Sequence, residues 1–126
     1  MPAANLPEIV AEVRAVFERY ERALVTKDLS VMAELFSDSP EVVRFGIADQ
    51  ERGPEELAQW RAAQPPHRPG RTLVNVTVAT YGTTTAVVTT VFTYPGRPLV
   101  GRQSQTWIRG EDGWRIVHAH VSEISR

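Results

Sequence analysis

The C-terminal half of the chain limits the fold more than any other feature. From Thr72 onward three β-type runs follow one another: "TLVNVTVATYG", "TTAVVTTVFTYPG" and "GRQSQTWIRGEDGWRIVHAHVS". Each is rich in β-branched and aromatic residues, which suit a pleated, half-buried surface. The third divides at "GEDG", a hairpin signal, so at least four strands are joined by short connections. Strands joined this way are antiparallel neighbours. Such a sheet must bury one face against another layer, and the first half of the chain has to supply it.

That half is helical. Apolar residues Ile9, Val13, Val16, Phe17, Tyr20 and Leu24 recur at three- and four-residue steps, which predicts a helix over residues 7–27 with Pro7 in its first turn. Asp28 or Ser30 caps a second, short helix whose apolar face is Leu29, Met32, Leu35 and Phe36. Pro40 disfavours helical geometry at Ser39 and ends it. "EVVRFGIA" then predicts a strand, and Gly53 and Pro54 open a third helix, "PEELAQWRAAQ". "PPHRPGR" is a loop. The expected architecture is α+β: one domain over residues 1–126, with three N-terminal helices packed on a curved antiparallel sheet that wraps into a cone.

Composition narrows the function. The 126 residues are 42% hydrophobic and 23% charged, with a net charge of −1, which argues against general nucleic-acid affinity. There is no cysteine, so thiolate metal sites are excluded and a reducing, cytoplasmic setting is expected. Charges every few residues at the N-terminus argue against a signal peptide, and no apolar run has membrane-spanning length. Residues 1–56 carry 12 acidic and 6 basic side chains, and residues 57–126 carry 3 and 8. The basic half is therefore biased towards an anion, or simply forms the sheet beneath an acidic helical layer.

Several side chains carry possible chemistry. Arg44 stands mid-strand among apolar neighbours, where a lone guanidinium is costly. Either a structural carboxylate or an exposed face satisfies it, or it waits in a cavity for a ligand carboxylate. Tyr20, on the apolar stripe of the first helix, is either a core tyrosine or a phenol projecting into the same cavity, its acidity raised by the cation. Strict alternation puts Trp114, Ile116, His118, His120 and Ser122 on one face of the last strand, making His118 and His120 candidates for a pocket wall. Two histidines at that spacing lack a third metal ligand, so no metal is expected. In "GRQSQTW", Arg102, Ser104 and Thr106 share one face and Gln103, Gln105 and Trp107 the other. Both faces form hydrogen bonds, which suits a pocket on one side and solvent or a subunit on the other. Arg61, Arg68 and Arg71 bracket the proline loop; Arg68 is expected to be solvated, whereas Arg71 enters a strand and is the better partner for an anion. No phosphate-binding glycine loop or serine nucleophile elbow is present.

"RFGIADQERGPEELAQWRAAQ", "GRQSQTW", "GW" and "AHVS" resemble the AtzH-like family, which includes the oxalurate-catabolism protein HpxZ. That family lies in the superfamily of nuclear transport factor 2, SnoaL cyclases and scytalone dehydratase. The resemblance implies a cone-shaped nuclear transport factor 2-like fold and a cofactor-independent decarboxylating amidohydrolase converting 1,3-dicarboxyurea to allophanate in cyanuric acid catabolism. It implies Tyr20 and Arg44 as the essential pair, with Arg71, Ser104, His118 and His120 expected at the substrate, a small anion. Asp49 stands where most relatives are expected to have glutamate. The resemblance also implies a homodimer through the open sheet face, with Gln103, Gln105 and Trp107 available to it, and an amidase as a possible partner. A non-catalytic accessory role, or a cone-fold isomerase or dehydratase, are the alternatives.

Overall fold

Residues 1–125 are described by a computed structural model. Helix α1 (Pro7–Thr26) buries Ile9, Val13, Phe17, Tyr20, Glu21 and Ala23 along one stripe, and Lys27 closes it in the left-handed conformation at φ 54°. Asp28 caps α2 (Leu29–Leu35) by accepting the Val31 N–H at 3.1 Å. Phe36 then leaves the helix extended and forms a parallel bridge with Ile116. Next come β1 (Val43–Phe45), β2 (Gln50–Arg52), α3 (Gly53–Ala63), β3 (Thr72–Tyr81), β4 (Thr85–Thr93), β5 (Leu99–Gly110) and β6 (Gly113–Ser125). Gly53, at φ 80°, makes the turn from β2 directly into α3, and Glu56 accepts the Arg52 N–H at 2.9 Å in the first turn.

The six strands form one sheet in the order β2-β1-β6-β5-β4-β3. The expected hairpins are present: β3–β4, β4–β5 and β5–β6 are antiparallel, with the last turn at "GEDG". Two expectations are corrected. The sheet is mixed, because β1 runs parallel to β6, with Arg44 opposite Ala119. The chain reaches that edge after α2 has docked alongside Ile116, and it continues in the direction of β6. The expected helix–helix–strand–helix order holds, but the strand expected over 41–48 shrinks to three residues and pairs with a second short strand, β2, before α3 begins.

The helices cover one face of the sheet. The core between the layers holds Val13, Phe17, Leu35, Leu57, Val88, Trp107 and Ile116, all at most 2% exposed. Gly101 is required by this packing, because a Cβ there would meet the Phe92 ring at 2.0 Å.

One irregularity decides which side chains line the interior. Thr106 pairs with His118 but Trp107 pairs with Ile116, so Val117 is an extra residue on β6. This β-bulge breaks the alternation. Trp114 and Ile116 face the core before it; Ala119 does so after it, and His118 and His120 turn to the outer face.

Candidate active site

Beyond the apolar core the layers diverge around a cavity of about 320 Å³ lined by Tyr20, Arg44, Trp60, Arg68, Arg71 and Arg97, with Gln103, Gln105 and Glu123 on its sheet wall. That volume lies at the lower end of small-molecule pockets, which run from about 300 to 1,000 Å³.

Arg44 is held on three sides. Its Nη1 donates to Asp49 Oδ2 at 2.7 Å and to Glu51 Oε1 at 3.1 Å. Its guanidinium lies 3.8 Å from the Trp60 ring centroid, a stacking contact that fixes the plane of the fork. The hairpin creates this arrangement, since Arg44 pairs with Glu51 across β1–β2. Gly46 permits it, because a Cβ there would lie 2.5 Å from Arg44 Nη1. Arg44 is therefore paired with structural carboxylates, one of the two sequence readings, and it also lines the cavity. Only Nη1 is engaged by those carboxylates, which leaves the other guanidinium edges for a ligand. Burial and a hydrogen bond with Asp49 raise the Glu51 carboxyl from its ordinary 4.5 to about 7, against the pull of Arg44.

Tyr20 is 6% exposed and packs on Phe36, with ring centroids 5.9 Å apart. Burial pushes its phenol above the ordinary value, outweighing the attraction of Arg44 and Arg61. The environment therefore does not make it more acidic, as the sequence suggested; it keeps the proton on the oxygen through neutral pH.

Arg71 makes a two-pronged ion pair with Glu21, Nε to Oε1 at 2.9 Å and Nη2 to Oε2 at 3.3 Å. Gln103 closes the triangle, accepting from Arg71 at 3.1 Å and donating to Glu21 at 3.1 Å. Arg97 forks onto Glu123 at 2.9 and 2.6 Å. Arg68 faces the Tyr94 ring at 5.8 Å and forms no ion pair among the described residues. It is exposed, as expected, and also borders the cavity.

Tyr20, Arg44 and Arg71 thus meet around one space. Ser104, His118 and His120 do not line it. They lie on the opposite face of the sheet, where His118 and His120 meet the edge of Phe45 at 6.0 and 5.7 Å. The reason is the bulge at Val117 for the histidines, and for Ser104 its parity with exposed Arg102. Gln103, Gln105 and Trp107, expected at an outer interface, point inward and are at most 5% exposed. Residues not singled out from the sequence are Glu21, Glu51, Trp60, Arg97 and Glu123. Glu21 carries a usable signal, because it continues the buried series Val13 and Phe17 at a four-residue step. Among the described residues no cluster of three His, Cys, Asp or Glu side chains is placed to hold a metal ion.

The helix layer over a curved sheet, with an arginine-lined cavity between them, defines a small protein of the nuclear transport factor 2-like, cone-shaped class. The chain belongs to the AtzH-like family, whose model matches residues 2–126. It is similar to a cystatin-like fold protein from Burkholderia xenovorans, with 47% identity, TM-score 0.96, and 100% of this chain and 99% of that one covered. It is also similar to a protein of unknown function from Pectobacterium atrosepticum, with 43% identity, TM-score 0.94, and 97% and 95% covered. A nuclear transport factor 2-like protein from Pseudomonas putida, at 18% identity and TM-score 0.74 over 89% and 84% of the two chains, shares the fold. No curated protein matches the chain.

Proposed function

We propose that the cavity binds a small N-carboxylated urea and releases its carboxyl group as carbon dioxide, converting 1,3-dicarboxyurea to allophanate. The observation that carries this reading is the convergence of Arg44, stacked on Trp60 with one nitrogen already engaged, and the protonated Tyr20 hydroxyl on one cavity rich in guanidinium groups. Arg44 grips the departing carboxylate, and Arg68 offers a second cation to the other end of a dianion. As the carbon–nitrogen bond breaks, its electron pair stays on nitrogen. A proton from Tyr20, directly or through water, completes the N–H, and solvent restores the phenol. The fixed cations need no rearrangement during the reaction, the condition under which electrostatic stabilisation is largest. AtzH-like membership supports the substrate class.

Turnover of 1,3-dicarboxyurea by purified protein, followed as carbon dioxide release, tests the assignment. Arg44→Lys and Tyr20→Phe should each lower kcat about 10²-fold, or roughly 3 kcal/mol, as for loss of one preorganised donor. Unchanged turnover in either variant removes that residue from the mechanism. Should the wild-type protein be inactive alone yet form a stoichiometric complex with an amidase, it is an accessory subunit instead.

A further inference from the structure

The most anomalous charge in the molecule lies outside the cavity described above. Arg61, on α3, is only 5% exposed, yet it forms no ion pair among the described residues. Its Nη2 is fully buried with no hydrogen-bond partner. The contact it does make is with the Phe36 ring, 4.7 Å from the guanidinium carbon. The other arginines buried in this region have carboxylate partners, Glu21 for Arg71 and Asp49 with Glu51 for Arg44. A buried cation lacking such a partner is strongly disfavoured unless an anion arrives from outside the chain.

Space for one exists. Arg61 lines a second cavity, of about 130 Å³, enclosed by Leu24, Leu29, Met32 and Trp60 between the three helices. Its polar contributors are Lys27, Gln64 and His67, so no acidic side chain lines it. Lys27 donates to the Gln64 carbonyl. A water molecule occupies about 30 Å³ in the liquid, so the volume takes only a few heavy atoms. The apolar walls strengthen any charge pairing inside.

We infer that this cavity is a binding site for a small monoanion of the size of chloride, formate or hydrogencarbonate, held by the Arg61 guanidinium. The site is separate from the proposed reaction and stands whether or not that reaction occurs. Trp60 and Leu24 wall both cavities, so an anion here also supports the ring on which Arg44 is stacked.

The test is twofold. A crystal grown or soaked in sodium bromide should show an anomalous peak within hydrogen-bonding distance of Arg61; a cavity without bromide overturns the inference. In solution, formate or chloride added at constant ionic strength should raise the Tm of the wild-type protein by a few degrees in a saturable manner. Arg61→Met should abolish that rise, while Arg44→Lys, which alters only the first cavity, should keep it. An anion response lost in Arg44→Lys but retained in Arg61→Met assigns the binding to the reaction cavity and refutes this site.

Discussion

At the scale of single residues, the Arg44–Asp49–Glu51 group ties the cavity to pH. Glu51 is 6% exposed and titrates near 7 in the folded chain, whereas 4.5 is its ordinary value. The folded protein therefore holds the Glu51 proton more tightly than the unfolded chain does. That contribution to stability is complete below pH 4.5 and is lost as pH rises through about 7. The difference corresponds to at most about 3 kcal/mol. Glu51→Gln, which imitates the protonated carboxyl, should flatten the loss of stability between those two pH values, as measured by urea denaturation across the range. An unaltered pH profile assigns the titration elsewhere. Arg44 was identifiable in the sequence because a cation among apolar neighbours is conspicuous. Glu51 was not, because only the hairpin register sets it opposite Arg44.

At the scale of elements, the buried triangle of Glu21, Arg71 and Gln103 joins α1 to the start of β3 and the middle of β5. Removing one member of a buried ion pair leaves an uncompensated charge and typically costs about 3–5 kcal/mol. Glu21→Ala should therefore destabilise the protein by that order in guanidinium denaturation. Glu21→Met combined with Arg71→Met should recover most of the loss. If the single variant is as stable as wild type, the triangle does not hold the layers together. Element types and most boundaries followed from periodicity: α1, the Asp28 cap and all three C-terminal hairpins match the sequence reading. The inward set on β6 did not, because alternation carries no marker for the extra residue at Val117. One inserted position exchanges His118 and His120 for Ala119 and Val121 at the cavity wall.

At the scale of the molecule, the helices occupy one face of the sheet and leave the other uncovered. Arg102, Ser104 and His120 are exposed there, and Phe45 on the edge strand is 40% exposed. We propose that a second copy of the chain covers this face. Light scattering should give twice the chain mass, and Ser104→Glu with His120→Glu should halve it without altering the cavity. A wild-type monomer at all concentrations refutes the pairing.

The order of apolar and polar residues along the chain determined the helices, the hairpins and the α+β class, because those depend on neighbours within a few positions. It also marked Tyr20 and Arg44, each an outlier on its own stripe or strand. The direction of β1, the bulge at Val117, the carboxylates behind Arg44 and the unpartnered charge of Arg61 were decided only in three dimensions. Each depends on which distant segment lies alongside, and local periodicity holds no information about that.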